Sequence, residues 1–361
     1  MRLFKILILF IALSLLVMAC GSSGDGSGDG SGIDNPNSSF IISTIDNTGD
    51  VGSYSSIATD SNNKVHISYH DTTNKDLKYA TNVSGSWVNT TIDGTDEVGE
   101  HSSLAIDSNN KVHITYYDVT NEAIKYATNV SGSWVTYTLD ITSDYTHDSS
   151  IAVDSNDNIH IVYDVPLGYK YVTNASGSWV YKSFDISPGE NLSIAIDSNN
   201  KVHLCFGYYD WLLHYAGLKY ATNASGIWVH SDIDTKDSNP SYRSYIAIDS
   251  NDKVHIMYDD NTNNALKYAT NESGSWVTKK LIDATSEVPL SIDSNDNIHI
   301  TYRDGVNLKH ATNASGSWVS TTVDTSNTGQ YMSITNDSNG KVHISYYDYQ
   351  HGNNLKYAKS P

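Results

Sequence analysis

Between Ser102 and Val135 the chain reads SSLAIDSNNKVHITYYDVTNEAIKYATNVSGSWV. The same text, lightly altered, starts again near Ser55, Ser149, Leu192, Ser244, Val288 and Met332. Seven copies of one unit constrain the fold more tightly than composition does, because each copy must build the same piece and bury its faces against its neighbours. The histidine of a V-H-I-type triplet marks the register: His66, His113, His160, His203, His255, His299 and His343. Successive spacings are 47, 47, 43, 52, 44 and 44 residues. That period suits four short strands with their turns and excludes the shorter helical and leucine-rich repeats. No helical apolar period runs inside a unit.

In the second unit the pattern predicts strand A at Ser103–Asp107, strand B at Lys111–Tyr117, strand C at Ala123–Asn129 and strand D at Ser133–Asp140. Each is rich in Val, Ile, Thr, Tyr or Trp and is bounded by Asn, Asp, Ser and Gly. The A–B turn, Asp107 to Lys111, offers Asn for a left-handed position, and the C–D turn from Asn129 to Ser133 offers Gly132. Four antiparallel strands repeated radially make an all-β, seven-bladed β-propeller, with small strand-A residues at the axis and Trp134 at the wide rim. The seventh unit ends after strand C. Its missing strand D is expected at the other end of the chain, where Ser39–Asp46 reads like Ser86–Asp93. The strand from Phe40 to Asp46 should therefore complete the last blade and close the ring.

Ahead of this domain, residues 1–19 carry Arg2 and Lys5 and then an apolar run from Ile6 to Ala19, the pattern of a secretory signal. Val17-Met-Ala-Cys20 resembles the lipobox of bacterial lipoproteins, and the resemblance implies lipid on Cys20 after cleavage. Residues 20–38 are rich in Gly, Ser and Asp and read as a flexible tether. The expected domains are thus the signal (1–19), the tether (20–38) and the propeller (39–361). The protein is expected outside the cytoplasm, at the outer membrane or cell surface of a bacterium, touching membrane through the Cys20 lipid alone.

A net charge of −19 argues against nucleic-acid binding, which calls for a basic face. Beyond Cys20 only Cys205 remains, so no disulfide forms within the domain, and a buried bystander is the expected role. A monomer is expected.

Residues repeated in every unit should serve the blade, and residues that differ at equivalent positions are free to serve a ligand. The repeated polar set comprises the histidines above, an Asp closing strand A (Asp60, Asp107, Asp154, Asp197, Asp249, Asp293, Asp337) and a Lys in strand C, as at Lys78. A ring spreads the histidines apart, which argues for buried structural imidazoles rather than a metal centre. The set resembles in kind the Asp-His-Ser-Trp networks of WD-repeat propellers. Lys78 should pair with Asp71 or Asp93, since an unpaired ammonium between blades is costly. Asp154–Asn158 and Asp293–Asn297 look like the start of calcium loops. The other copies place Lys where a ligand would sit, so no cofactor is expected and calcium is the secondary alternative. Asn-X-Ser triplets at Asn82, Asn129, Asn174, Asn223, Asn271 and Asn313 belong to the C–D turn and read as incidental.

Two varied columns lie at the B–C and D–A end of the blades. One, just before strand A, reads Tyr54, His101, Asp148, Asn191, Arg243, Glu287, Tyr331. The other, after the strand-B aromatic, reads His70, Tyr117, Asp164, Gly207, Asp259, Arg303, Tyr347. Both are expected to ring the channel mouth on one face. An insertion in the fourth unit, Tyr208 to Gly217, adds Trp211 beside them. Aromatic and polar groups on loops of a rigid scaffold suit a glycan, peptide or protein ligand.

The turn Thr81-Asn-Val-Ser-Gly-Ser-Trp87 and its copies resemble a degenerate Asp-box, the hairpin of sialidase-type propellers, one residue shorter and with Asn for Asp. That resemblance implies an alternative function as a glycoside hydrolase or lyase of that propeller type. Sialidases use three Arg on the substrate carboxylate, and the folded part here has Arg243 and Arg303 only. No spacing selects a carboxylate pair from Asp148, Asp164, Asp259 and Glu287. Nucleophile-elbow, phosphate-loop and zinc signatures are absent from the sequence. The sequence thus favours a binding module over an enzyme, with a structural surface protein as a third class.

Overall fold

The structure is a computed structural model that describes residues 40–142, 148–166, 168–186, 192–210, 215–234, 240–283, 287–325 and 329–361. It holds seven sheets of four antiparallel strands, each in simple meander order. Consecutive strands A touch one another, and the last touches the first, so the sheets form a closed ring with strand A innermost. The strand Ile41–Asp46 pairs with the final strand, Asn354–Lys359, placing Ile42 opposite Ala358 and Thr44 opposite Lys356. The chain's first strand is therefore the fourth strand of blade 7, as the truncated seventh unit predicts.

The apolar core lies in seven seams between neighbouring blades rather than at one centre. The seam between blades 1 and 2 shows the pattern. Leu77 and Tyr79 of one blade meet Val98, Leu104, Val112, Ile114 and Tyr116 of the next. Trp134 then closes the outer edge, 5.1 Å from the Tyr79 ring in an edge-to-face contact. Trp87 stands in the same way on Tyr357 of blade 7, and at the one seam without a Trp, Phe40 stands on His310. Such contacts add about 0.5–1.5 kcal/mol each beyond the area they bury.

The repeated polar residues explain themselves within the blade. His66 is buried, with Nδ1 hydrogen-bonded to the Tyr79 hydroxyl at 2.5 Å and Nε2 3.5 Å from Asp60. His113, His160, His203, His255 and His343 repeat the Asp–His–Tyr chain, and His299 uses His310 in place of Tyr. Burial holds most of these imidazoles below their ordinary pKa although the paired carboxylate pulls the other way. The lysine pairing follows expectation in part. Lys78 does approach Asp71, at 3.6 Å, but its close partner is Asp46 of the preceding blade at 2.5 Å, where Tyr69 also donates. Asp93 serves Lys125 of the following blade. In blades 1 to 3 the strand-D Asp of the preceding blade crosses the seam to the Lys, whereas Lys267 lies nearer Asp260 of its own blade, at 2.6 Å against 3.0 Å to Asp234, and Lys356 pairs with Asp348 of its own blade at 3.0 Å.

The A–B turns form a belt at the end of strand A away from the varied columns. Asp60 Oδ1 accepts the Asn62 and Lys64 N–H groups, and Asn63 takes φ +58°. Ser61 N–H is then received by Asn110 of the next blade, and the pattern continues through Asp157, Asn200, Asp252, Asp296 and, across the closure, Asn63. In Asp154–Asn158 and Asp293–Asn297 the carboxylates accept backbone N–H groups, the Asn amide and the histidine, which accounts for their place in the turn. Asn82, Asn129 and their four counterparts accept the N–H that opens strand B, which accounts for their repetition. Cys205 is fully buried, and burial pushes its thiol up to about 12. Residues 1–39, and with them Cys20, lie outside the described residues.

Candidate functional site at the channel mouth

Strand A begins earlier than the sequence pattern suggests. In blades 1, 2 and 7 it spans Val51–Thr59, Val98–Ile106 and Gln330–Asn336, each with a slip in register against strand B. The slips fall at Tyr54, His101 and Tyr331, whose φ angles are +53°, +51° and +49°. A bulky residue in the left-handed region costs about 1–3 kcal/mol, and bulges of this kind re-aim a side chain. Two residues earlier stands a glycine that cannot be replaced. A Cβ on Gly52 or Gly99 would lie 2.7 Å from the Cα of Leu355 or Leu77. The neighbouring blade anchors the strained backbone, because Ser55 Oγ donates to Tyr331 O and Ser102 Oγ to Tyr54 O.

The result is an arc of rings at the mouth of the channel. Tyr54 lies 4.3 Å from the His101 ring and 4.5 Å from the Tyr331 ring. Continuing round, His101 Nδ1 pairs with Asp148 Oδ1 at 2.5 Å, and Asp148 N–H donates to Asp164 Oδ1 at 3.1 Å. On the far side Arg243 Nη1 meets Glu287 Oε1 at 2.9 Å, and Met332 N–H reaches Glu287 Oε2. These groups face a central cavity of about 610 Å³. A second cavity of about 380 Å³ opens beside it, lined by Arg243, Glu287, Arg303, Gly305, Gln330 and Tyr331 among others.

The electrostatics are uneven. Burial disfavours charge on His101, but the Asp148 hydrogen bond, with Glu100 and Asp164 nearby, raises its pKa above the ordinary imidazole value. Burial and the adjacent Asp148 push Asp164 up to about 7. Burial, with Tyr331 and Glu100 close by, raises the Tyr54 phenol well above its usual range. Tyr54 thus stays neutral, beside the His101–Asp148 pair and Asp164 of blades 2 and 3.

Of the first varied column, Tyr54, His101, Asp148, Arg243, Glu287 and Tyr331 converge on the central cavity. Asn191 and Trp211 lie outside the described residues. The second column divides. Asp164 lines the central cavity and Arg303 the smaller one, whereas His70, Tyr117, Asp259 and Tyr347 are buried behind the wall. The cause is the pleat and the rim above it: Tyr347 turns its hydroxyl to Asp50, and His70 pairs with Ser53. The sequence reading missed the wall of the cavity itself. Ser56, Ser103, Ser150, Ser193 and Ser333 line it, each accepting a backbone N–H from the next blade, and Tyr245 replaces Ser in blade 5. The text G-x-[Tyr/His] ahead of a Ser or Met was the available clue to the bulges. Among the described residues one group, Asp249, His255 and Glu272, brings three metal-type ligand atoms within 4.8 Å of one another, at the turn end of blade 5.

No family model matches the sequence, and no curated protein matches it. Solved structures do match in fold. Virginiamycin B lyase from Staphylococcus aureus aligns at a TM-score of 0.61 with 16% identity, over 88% of this chain and 98% of its own. A protein of unknown function from Dyadobacter fermentans aligns at 0.55 with 11% identity, over 90% of this chain and 99% of its own. A polysaccharide lyase aligns at 0.55 with 12% identity, over 87% of this chain and 90% of its own. At such identities the likeness is one of fold.

Proposed function

We propose that this chain is a lipid-anchored, extracytoplasmic recognition module that takes part of a glycan, peptide or protein into the mouth of its channel. One observation carries the proposal: three bulky residues, Tyr54, His101 and Tyr331, are held in a costly left-handed backbone at one rim, with their rings packed against one another at a tilt. Strain of this kind persists where the surrounding structure enforces it and function repays it. The tilted rings offer apolar surface to the cavity, and the His101–Asp148 and Arg243–Glu287 pairs offer polar edges. The anchor rests on the Val17–Cys20 motif and the tether that follows. The test is a binding screen over glycan and peptide arrays with wild type, Tyr54→Ala and, at the opposite end, Ser225→Ala. Binding that falls at least tenfold in Tyr54→Ala alone is expected; binding indifferent to Tyr54 refutes the site. Membrane fractionation of Cys20→Ala tests the anchor.

A second reading, an enzyme of the hydrolase or lyase kind, has its own observation. His101, Asp148 and Asp164 form a contiguous proton-holding group facing the same cavity, with Asp164 near neutrality at about 7. It predicts turnover that is lost in Asp164→Asn while binding is kept.

A further inference from the structure

Blade 6 departs from the repeat where the channel mouth opens sideways. Its strand A is only Leu290–Ile292, against Val51–Thr59 in blade 1. Pro289 stands where five blades place the wall serine, so the ladder of serines accepting N–H groups is interrupted there. Its B–C connection is short as well: seven positions separate Tyr302 from Lys309, as in blade 3 from Tyr163 to Lys170, where nine separate Tyr69 from Lys78. Beside this blade lies the cavity of about 380 Å³, which shares Arg243, Glu287, Tyr331 and Met332 with the central one.

What lines this notch is unlike the rest of the molecule. The chain carries three arginines, Arg2, Arg243 and Arg303, and a net charge of −19. Both arginines of the folded domain line the one notch; among the described residues that line it Glu287 is the one carboxylate, and no described Lys lines either cavity. Arg303 is positioned by its Nη2 donating to Gly305 O at 3.1 Å, and Arg243 by Glu287. A body this acidic repels anions at long range, so two planar guanidinium groups gathered at one opening mark a local exception. Their fork geometry matches a carboxylate or sulfate group. Next to them, Tyr331 belongs to both cavities and leads to Tyr54 at 4.5 Å. Further on, Asp148 and Asp164 supply hydrogen-bond acceptors suited to hydroxyl groups.

We infer that the ligand is an acidic saccharide, its carboxylate or sulfate group held at the blade-6 notch by Arg243 and Arg303 and its sugar rings lying over Tyr331 and Tyr54. This rests on the recognition role proposed for the mouth and names the class of ligand. A saccharide fits better than a peptide end, because the aromatic groups and hydroxyl acceptors continue round the mouth from the anion position.

The experiment is an array of uronate oligosaccharides, sulfated oligosaccharides, the carboxyl-reduced neutral counterparts and peptides with free C-termini. It is read with wild type, Arg303→Ala, Arg303→Lys and Tyr54→Ala, each checked for wild-type thermal unfolding. The inference expects uronate or sulfated members to bind at least tenfold better than neutral counterparts. It also expects loss in Arg303→Ala, partial loss in Arg303→Lys, and weakening with added salt; the two acidic series separate carboxylate from sulfate. Neutral sugars or peptides binding equally well, dependent on Tyr54 and not on Arg303, would overturn the acidic ligand and leave the mouth as the site. Binding that ignores both Tyr54 and Arg303 would overturn the two together.

Discussion

Asp164 provides a direct test of the electrostatics at the mouth. In the fold its carboxyl is pushed from an ordinary 3.8 up to about 7 by burial and by Asp148. Between those values the native state holds a proton that the unfolded chain has released, so stability falls as pH rises from about 4 to 7 and stays reduced above. At about 1.4 kcal/mol per pH unit, the difference between 3.8 and about 7 caps the penalty at about 4 kcal/mol. Asp164→Asn keeps an oxygen for the Asp148 N–H and removes the charge, at the cost of some attraction to His101. The variant should match wild type near pH 4 and exceed it by about 2–4 kcal/mol at pH 8. Most blade histidines, held below their ordinary pKa by burial, tilt the wild-type profile the other way. The quantity to measure is therefore the difference between variant and wild type, from urea denaturation at pH 4, 6 and 8. A difference that does not change with pH, or a variant less stable than wild type at pH 8, would refute the assignment of Asp164 as a buried carboxyl facing Asp148.

Other predictions follow from the seams and turns. Asp46→Ala strips the acceptor from the nearly buried Lys78 and from the Tyr69 hydroxyl, and should cost about 3–5 kcal/mol in chemical denaturation. Asp93→Ala, with Lys125 and Tyr116 in the same geometry, should cost about as much; a negligible effect in both would show that the pairs do not join blades. Gly340 breaks the belt of turns, because it offers no side-chain acceptor where six copies have Asn or Asp, and its φ of +73° with open space at Cβ suits Asn. Gly340→Asn should stabilise by about 0.5–1 kcal/mol, seen as a raised unfolding midpoint. Gly99→Ala would place a Cβ 2.7 Å from Leu77 Cα, so a strongly lowered thermal midpoint is expected.

The ring was legible in the sequence because repetition reports architecture directly. Seven copies gave the blades, and the missing strand D of the last copy pointed to Phe40–Asp46. Strand A was read too short in blade 2, because the bulge at His101 breaks the period-two alternation on which strand assignment depends. The partner of Lys78 was half legible. Sequence shows which strand ends carry Asp, but not that a strand-D Asp crosses to the following blade. The first varied column was recognisable by its lack of repetition. The second misled, since His70 and Tyr347 differ between copies yet serve contacts behind the rim. Arg243 and Arg303, sixty positions apart on the adjacent blades 5 and 6, belong to the two columns expected at the mouth, but no local pattern shows that they share one notch.

Whether ligand sits at the non-repeating rim decides if the mouth is the working surface of the ring. Hydroxyl-radical footprinting of the full chain with its strongest array ligand measures this through tyrosine oxidation. Tyr54 and Tyr331 should be protected on binding, while the half-exposed Tyr137 and Tyr181 of the outer strands should oxidise as before. Protection of Tyr137 or Tyr181 with Tyr54 and Tyr331 unchanged would place recognition on the outside of the ring and contradict a working surface at the mouth.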